Sequence, residues 1–414
     1  MRVAIIGAGA AGLMCAATLL EKMPDAEIFV IERNDGLGKK VIISGGGRCN
    51  VTTGIHDVKT LLTKYPRGAE FLRAAMTAFP PKAVYDWFQA HGVPLKMQAD
   101  LRAFPASDDG HDIVGVFEKM FAQSNVKTML KASVEKVEKR SDEFVVHIKG
   151  NPFPIVVDAL VLTTGGQAYR HTGSTGDGYA FAMALGHTVT PLAPSLNAFF
   201  TREVWPKEIS GLSFEHATIT AMPETSQRAL FTGPFLFTHK GVSGPAVFAL
   251  SSLVAFEKYD TNNPLAITID LFPAVTLKQL TARVHEMTTS NAHKRFINIV
   301  ATLVPKSLAD VMLAELHIDV AKPAGQAGKN DFAACAKWLK AIPLTVVQRG
   351  AGDEFVTAGG VTLTEVDATT MQSRICPNLY FAGELLDVDG FTGGFNLQAS
   401  WAAGRLAGSA IASG

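Results

Sequence analysis

The sequence predicts an α/β fold in which one domain is interrupted by a β-rich segment and by a helical segment. The chain opens with an apolar strand, a glycine-rich turn and a helix, and it closes with a strand, a glycine turn and a helix of small residues. Between these ends, short alternating runs give way to apolar residues at helical spacing. Because alternating strands and helices predict a parallel sheet, we assign both ends, residues 1–190 and 341–414, to one domain. Residues 191–275 form the predicted β-rich insert, and residues 276–340 form the predicted helical subdomain.

Composition limits the classes of protein to which the chain can belong. Its 414 residues are 47% hydrophobic and 18% charged, which is typical of a globular chain with sizeable cores. The 38 basic and 38 acidic residues cancel, so no overall field attracts nucleic acid or an anionic membrane, although a local basic patch stays open. The four cysteines show no CxxC and no metal-ligand spacing, and no uninterrupted apolar stretch suits a membrane span. We therefore expect a cytoplasmic protein with no metal site and no membrane partner.

The first motif is a strand followed by Gly7-Ala8-Gly9-Ala10-Ala11-Gly12 and a helix. Gly7 permits the tight turn, Gly9 allows backbone to approach a pyrophosphate, and Gly12 lets the helix pack on the strand. Phosphates would lie at the helix N-terminus, where N–H groups and the positive end of the dipole converge. Glu32 ends the second strand, where an acid accepts ribose hydroxyls. The pattern predicts a dinucleotide site, and the alternative is a glycine-rich turn in an ordinary βαβ unit.

Two further glycine segments are candidates for the same site. Ser44-Gly45-Gly46-Gly47 precedes Arg48 and follows Lys39 and Lys40. Consecutive glycines can present N–H donors to a phosphate or a flavin edge; the alternative is a flexible turn with solvated lysines. A buried strand at residues 156–163 runs into Thr164-Gly165-Gly166, which suits a chain that crosses close to the pyrophosphate.

The C-terminal segment predicts the flavin end of the site. A strand ends at Gly383 and Glu384, where the carboxylate could accept a ribityl hydroxyl. Gly393 and Gly394 then precede a helix of small residues. The N–H groups of Gly394 to Asn396 would stabilise negative charge on the N1/C2=O edge of a reduced flavin. The alternative is a loop before a packed helix.

With both ends considered, the chain resembles flavoproteins of the BaiN/YhiN type, also called aminoacetone oxidase-like or RdsA-like. The segments that carry the resemblance are GAGAAGLM, GKKVIISGGGRCNVT, GSTGDGYAFAMALGH, FTHKGVSGPAV, TAGGV and LYFAGELLDVDGFTGGFNLQASWAAG. The resemblance implies a glutathione-reductase-like FAD-binding Rossmann domain that is interrupted by a β-barrel insert and a helical subdomain. It maps the FAD site of the family onto Gly7, Gly9, Gly12, Glu32, Lys40, Gly46, Arg48, Thr164, Gly165, Glu384, Asp387, Gly394 and Asn396. To these we add the neighbouring positions Ala10, Ala11, Arg33, Ser44, Gly45, Gly47, Asn50, Val134, Gly166, Gly383, Gly393 and Phe395.

We therefore expect an FAD-dependent oxidoreductase that transfers hydride through a non-covalently bound flavin. The matching motifs are cofactor motifs, so they do not select among the substrates assigned within the family, which include enone-type steroids, amines and a uridine of ribosomal RNA. Reduction of an rRNA uridine is one alternative, since His293-Lys294-Arg295 could contact phosphate. A non-catalytic flavin-binding regulatory protein is another. No second GxGxxG occurs, so NAD(P)H would visit the flavin transiently, or electrons would come from another donor.

Two residues are candidates for catalysis. His239 lies in a glycine-rich turn of the insert and could protonate the substrate as a general acid; alternatively, it is simply exposed before a helix that begins near Pro245. Cys49 follows Arg48, which could lower its pKa and make it reactive. With no second cysteine nearby in sequence, a packed or flavin-adjacent neutral thiol is the preferred interpretation of Cys49.

Overall fold

The computed structural model describes residues 1–223, 227–350 and 355–414. The chain divides into two compact units, each of which has its own hydrophobic core. Unit 1 comprises Met1–Ser195 and Glu354–Gly414, and unit 2 comprises Leu196–Asp353. Within the described ranges, no helix is both long enough and apolar enough to span a membrane.

The first segment of unit 1 alternates strands and helices. Its strands are β1 (Arg2–Ile6), β2 (Glu27–Ile31), β3 (Thr52–Thr53), β4 (Leu95–Met97), β5 (Arg102–Pro105), β6 (Lys127–Met129), β7 (Val134–Arg140), β8 (Glu143–Ile148), β9 (Ile155–Val157), β10 (Ala159–Leu162) and β11 (Ala193–Ser195). Its α-helices are α1 (Ala10–Lys22), α2 (Lys39–Ile43), α3 (Val58–Leu62), α4 (Ala69–Ala78), α5 (Pro81–Ala90), α6 (Gly110–Ala122) and α7 (Asp177–Ala184).

In the described part of the chain, unit 2 contains six strands and five α-helices, and most of the helices lie between its last two strands. Its strands are β12 (Phe199–Thr201), β13 (Ser213–Met222), β14 (Ala229–Thr238), β15 (Gly241–Ser243), β16 (Leu265–Asp270) and β17 (Ile342–Arg349), and its α-helices are α8 (Pro245–Leu253), α9 (Leu277–Thr289), α10 (Phe296–Val300), α11 (Lys306–Glu315) and α12 (Lys329–Lys340). The chain then returns to unit 1 with β18 (Val356–Ala358), β19 (Leu379–Phe381) and α13 (Phe395–Ser413).

A parallel sheet organises unit 1. Its strand order is β19-β10-β1-β2-β6, and every neighbouring pair is parallel. Strands β1, β2, β10 and β19 are apolar and largely buried, as expected for a parallel sheet covered on both faces, whereas the edge strand β6 is mostly exposed. Parallel strands share one carboxyl edge, so the segments that follow β1, β2, β10 and β19 meet there. These are the segments that carry the glycine and acidic motifs.

Helices α1 and α13 pack closely because small residues line their contact. A Cβ on Gly404 would lie 2.2 Å from the carbonyl oxygen of Ala11, and one on Gly408 would lie 2.8 Å from that of Cys15. The helix of small residues at the end of the sequence is therefore explained by close contact with the first helix.

Unit 2 is built on a closed barrel with strand order β12-β15-β14-β13-β16-β17. Its inward residues, such as Phe235, Phe237 and Ile267, are buried in the core that the barrel shares with α8 to α12. The β-barrel and the helices that the family resemblance implied are both present.

The boundaries in the structure differ from those expected from the sequence. Strand β17, which the sequence analysis assigned to the nucleotide-binding domain, pairs with β12 and β16 and closes the barrel. The helical segment is thus inserted before the last barrel strand, and the return to unit 1 comes at 354 instead of 341. Strand β11, which was assigned to the insert, pairs with β18 inside unit 1. Both differences arise from strand pairing between distant segments.

Candidate functional site

The glycines after β1 have three different surroundings. Gly7 has φ +102°, and a Cβ there would lie 2.6 Å from the carbonyl oxygen of Thr163. A Cβ on Gly12 would lie 2.0 Å from the carbonyl oxygen of Gly7. A Cβ on Gly9, in contrast, would have no heavy atom within 4 Å. Gly7 and Gly12 therefore serve turn and packing, whereas Gly9 leaves open space at the start of α1, where the helix has no side-chain cap.

Glu32 connects this glycine loop to the end of β2. It is buried, and its Oε2 accepts a hydrogen bond from the N–H of Ala8 at 2.9 Å. Its Oε1 accepts from the N–H of Asn34 at 2.9 Å and from Asn34 Nδ2 at 2.7 Å. Each carboxylate oxygen has about two acceptor positions, so Oε2 keeps capacity for a ribose hydroxyl. The carboxylate thus both holds the loop and retains an acceptor.

Two other predicted residues lie beside the end of β2. Arg33 Nη1 donates to Thr175 Oγ1 at 2.5 Å and to Asp177 Oδ2 at 2.7 Å, so this guanidinium joins β2 to the start of α7. Val134 begins β7, two residues after Ala132, whose N–H donates to the carbonyl oxygen of Glu32 at 2.9 Å.

The structure joins three predicted segments through Lys40 and Glu384. Lys40 Nζ and Glu384 Oε2 form a salt bridge of 2.6 Å, with the two side chains 27% and 15% exposed. Glu384 Oε1 accepts from the N–H of Thr357 at 3.0 Å, and a Cβ on Gly166 would lie 2.8 Å from the same oxygen. The segments around α2, β10 and β19 therefore meet at Glu384.

The triple-glycine loop adopts a backbone that disfavours other residues. Gly45, Gly46 and Gly47 have φ values of +58°, +73° and +88°. A Cβ on Gly46 or Gly47 would meet no atom within 4 Å, so both face open space. The N–H of Gly47 donates to the carbonyl oxygen of Ile43, so the predicted run of N–H donors is interrupted at this residue.

Arg48 and Cys49 follow the loop, and Arg48 is half-buried whereas Cys49 is buried. The Arg48 guanidinium lies 4.2 Å from the centre of the Phe104 ring, and Nη1 lies 3.9 Å from Asp108 Oδ1. Cys49 is fully buried, and burial raises the pKa of its thiol to about 12, although a hydrogen bond with Ser44 lowers it. The nearby guanidinium does not lower the thiol pKa, and these facts favour the packed neutral thiol over the reactive thiolate.

The start of α13 offers fewer donors than expected. Asn50 lies across from it: the side-chain amide nitrogen is 3.1 Å from the carbonyl oxygen of Thr52, and the amide oxygen is 2.9 Å from the N–H of Gly394. The Asn396 side chain binds both backbone groups of Gly390 at 2.8 Å. The N–H of Gly394 is therefore used by Asn50, and the Asn396 amide fixes the preceding loop. The N–H groups of the first helical turn, Phe395 to Leu397, have no partner within the helix.

Comparison with known proteins assigns the chain to a family. The sequence profile of the HI0933-like protein Rossmann domain matches residues 1–410. The chain belongs to this family. It is therefore a Rossmann-type flavoprotein and an oxidoreductase by family, and the predicted BaiN/YhiN-type membership is confirmed.

Relatives of this HI0933-like protein match it over nearly its whole length. The 3-dehydro-bile acid delta(4,6)-reductase of Clostridium scindens is 30% identical over 412 residues, covering 99% of each chain. The ribosomal RNA dihydrouridine synthase of Escherichia coli is 28% identical, covering 96% of this chain and 94% of that one. A 3-ketosteroid-delta4-(5alpha)-dehydrogenase structure from Rhodococcus jostii is 14% identical with a TM-score of 0.52, covering 99% of this chain and 96% of that one, and it supports the fold alone.

Unit 1 fits the FAD that the family implies. The open space beside Gly9 and Gly46 gives room for backbone to approach a cofactor, and the uncapped first turn of α1 supplies N–H groups for phosphate. Among the described residues of unit 1, three buried side-chain oxygens have no hydrogen-bond partner: Thr164 Oγ1, Tyr179 Oη and Asp387 Oδ1. Two of these belong to predicted FAD residues. Unmet polar groups at these positions are consistent with a polar ligand.

Sequence reasoning missed several residues of this region. Burial, together with the charges of Glu384 and Asp387, raises the pKa of Tyr179, so its hydroxyl stays protonated. Asp389 is fully buried, pairs with Arg67 and accepts from Ser195 Oγ at 2.9 Å. Tyr179 lies in the segment GSTGDGYAFAMALGH, which carried the family resemblance, and that was the available signal.

His239 lies in unit 2, on the two-residue turn that joins β14 to β15. It is exposed, and α8 begins at Pro245 as expected. Its role stays a prediction.

Proposed function

We propose that the chain is an FAD-dependent reductase that saturates a carbon–carbon double bond conjugated to a carbonyl group. The observation that carries the FAD part is the open glycine backbone at the carboxyl edge of the parallel sheet. The relatives support the substrate class. One is named as a delta(4,6)-reductase of a 3-dehydro bile acid, and two others are named as rRNA dihydrouridine synthases; both names describe the reduction of a carbon–carbon double bond conjugated to a carbonyl group. The glutathione-reductase-like subtype of the FAD domain belongs to the same proposal.

This chemistry assigns separate tasks to cofactor and protein. Bound FAD would supply hydride transfer. The residues of unit 1 would hold it: Glu32 at the adenosine ribose, the start of α1 at the pyrophosphate, and Glu384 and Asp387 at the ribityl chain. Addition of hydride to the β-carbon of a conjugated carbonyl leaves charge on the oxygen and requires a proton at the α-carbon. The protein must therefore supply a general acid.

The substrate class is tested anaerobically with the purified holoprotein. After reduction of its bound flavin, a 3-oxo-4-ene steroid is added, and the saturated 3-oxo analogue and an isolated alkene serve as matched controls. We expect the conjugated ketone alone to restore the oxidised absorption spectrum. Reoxidation of the reduced flavin by the isolated alkene, or reduction of the oxidised flavin by an amine, would contradict the class. If no acceptor restores the spectrum, the non-catalytic regulatory alternative gains support.

We propose NAD(P)H as the electron donor. Because the sequence has no second GxGxxG motif, NAD(P)H would contact the flavin only transiently. Anaerobic stopped-flow mixing with NADH or NADPH should bleach the flavin absorption with saturating kinetics. Bleaching by dithionite but by neither nucleotide would show that electrons come from another donor.

We propose His239 as the general acid. Its exposed imidazole lies on a short turn, and an imidazole can donate a proton to a substrate. His239→Ala should retain FAD and donor-driven reduction but slow substrate-driven reoxidation roughly 10²–10⁴-fold, the usual effect of losing a general acid. His216→Ala, at another exposed histidine of unit 2, is the control. Wild-type reoxidation by the His239 variant would leave this residue without a catalytic role.

The second candidate function is reduction of a uridine in ribosomal RNA. It is favoured by two dihydrouridine synthases that are 28% and 29% identical over most of their length and by the exposed run His293-Lys294-Arg295. Mass spectrometry of ribosomal RNA from a deletion strain tests it. Loss of one dihydrouridine, restored by the wild-type gene, is the expected result; an unchanged modification profile would reject it.

A further inference from the structure

Charge is unevenly distributed within the helical subdomain of unit 2. Residues 276–340 contain nine Lys and Arg against five Asp and Glu in a chain that is neutral overall. Three of the acids, Asp310, Glu315 and Asp319, lie on α11 or directly after it. Helices α9 and α12 and the loop after α9 carry only Glu286 and Asp331, and Asp331 pairs with Lys322 at 2.7 Å. Positive charge is therefore concentrated on the α9/α12 side.

Backbone hydrogen bonds bring part of this charge to one end of the α9/α12 pair. The loop after α9 is held against the segment that leads into α12: Ala324 N–H donates to the carbonyl oxygen of Lys294 at 2.8 Å, and Gly325 N–H donates to that of Ala292 at 3.0 Å. On α9, the ring of His285 lies 5.2 Å from the ring of Phe332, in the first turn of α12. We call this group the α9/α12 basic cluster: His285, His293, Lys294, Arg295 and Lys329.

Within the part of the chain that the structure describes, the lysines and the arginine of the cluster take no part in ion pairs. All of the cluster's side chains are exposed. Lys329 is the first residue of α12, where a cation opposes the helix dipole. Like charges on two hydrogen-bonded segments raise the positive potential at that surface, which favours a polyanionic partner.

We propose that the α9/α12 basic cluster docks the phosphate backbone of RNA. This inference rests on the second candidate function and names the surface that would hold its substrate. A membrane surface fits less well, because a helix that binds lipid needs an exposed apolar face. On α9, Leu280 and Val284 are instead buried in the core of unit 2. RNA phosphates need only cations at suitable spacing, and each phosphate that a cation neutralises makes binding depend on salt.

The test compares two charge-reversed double variants of the full-length holoprotein. Lys294→Glu with Lys329→Glu changes the cluster, and Lys207→Glu with Lys306→Glu changes two exposed lysines of unit 2 outside it. A fluorescein-labelled, uridine-containing single-stranded RNA is titrated by anisotropy over a range of NaCl concentrations. FAD content and urea midpoints of both variants verify folding.

The cluster variant should bind the RNA at least about tenfold more weakly, and its salt slope should fall by roughly 0.7 for each phosphate that is no longer neutralised. The control should remain within about twofold of wild type. Equal weakening in both variants, absence of RNA binding by wild type at low salt, or cluster-dependent binding to phosphatidylserine vesicles in place of RNA would each overturn the proposal. RNA binding through the cluster with an unchanged rRNA modification profile would reject the candidate function and leave the docking surface standing.

Discussion

Glu32 shows how one side chain combines structural and ligand-binding roles. Its carboxylate holds the first glycine loop through Ala8 and the exit of β2 through Asn34. Because a buried carboxylate is costly unless it is hydrogen-bonded, these N–H donors stabilise it before any ligand binds. The remaining acceptor capacity of the carboxylate then stays available to a ligand.

Glu32→Ala should weaken FAD binding by about 1–3 kcal/mol, because the variant cannot form charge-assisted hydrogen bonds to the ribose and the loop at Ala8 is released. Titration of the apoprotein with FAD measures the effect. Glu27→Ala is the matched control. Glu27 begins β2, the strand that Glu32 follows, and forms a solvent-accessible ion pair with Arg2 of β1, so this variant should bind FAD as wild type does. An unchanged dissociation constant for the Glu32 variant would exclude this residue from the site.

Gly9 and Gly12 of the first βα element should differ in their effects on folding and on FAD binding. Gly9 has φ −80° and open space around its Cβ position, so alanine fits the backbone, whereas a Cβ on Gly12 would lie 2.0 Å from a carbonyl oxygen. Gly9→Ala should leave the urea midpoint of the apoprotein nearly unchanged and weaken FAD binding, because the methyl group occupies the approach to the pyrophosphate. Gly12→Ala should lower the midpoint itself. Equal loss of stability in both variants would contradict this division.

A second element-level feature joins the end of α7 to the segment before β19. The His187 side chain is fully buried; its Nδ1 lies 3.1 Å from Glu365 Oε2 and its Nε2 lies 2.7 Å from Ser373 Oγ. Ser373 Oγ also accepts from the N–H groups of Ile375 and Cys376, so its proton is directed to the imidazole. Burial lowers the pKa of His187, although Glu365 raises it. The network therefore contains a neutral histidine at neutral pH.

This network predicts a pH dependence of stability. Because the folded pKa of His187 lies below its unfolded value, the unfolded chain binds more protons, and the stabilisation present above about pH 6.5 is lost as the pH falls. Urea midpoints measured between about pH 5 and 8 should rise with pH. His187→Gln should flatten this slope and cost about 1–3 kcal/mol, since buried partners lose a hydrogen bond. His216→Gln, at an exposed site, should keep the slope, and a flat wild-type profile would refute the argument.

For the whole molecule, the arrangement of unit 1 predicts which flavin is bound. The proposed site extends from Glu32 at the end of β2 to the start of α13, and in this proposal Glu32 binds the adenosine ribose that FMN lacks. Purified protein should be yellow and should release FAD on heat denaturation, as chromatography of the supernatant will show. Release of FMN would refute the proposal that the site binds an adenosine and that Glu32 binds its ribose.

Much of the site could be predicted because glycine patterns act locally. The turn at Gly7 and the packing at Gly12 depend on backbone stereochemistry within a few residues, so strand, turn and helix are recognisable from the amino-acid sequence alone. Helix α4 ends at Ala78, just before two prolines, and its apolar periodicity and those prolines are local signals of the same kind. The barrel boundary at β17 was not predictable in the same way. The residues of β17 indicate a strand, but its pairing with β12 and β16 is set only when the barrel closes.

The sequence by itself determined the class of this protein: its glycine segments, its acidic strand ends and its small-residue C-terminal helix specify a Rossmann-type flavoprotein. Only the tertiary structure decided how these segments act on one another. Lys40 and Glu384 are 344 positions apart, and the contacts of Asn50 with Gly394 and of Thr52 with Gln398 span similar distances. The pairing of His187 with Glu365 and the burial of Cys49 are likewise products of topology. The physical reason is that backbone preference acts over neighbouring residues, whereas side-chain hydrogen bonds, ion pairs and burial depend on which strands and helices lie side by side.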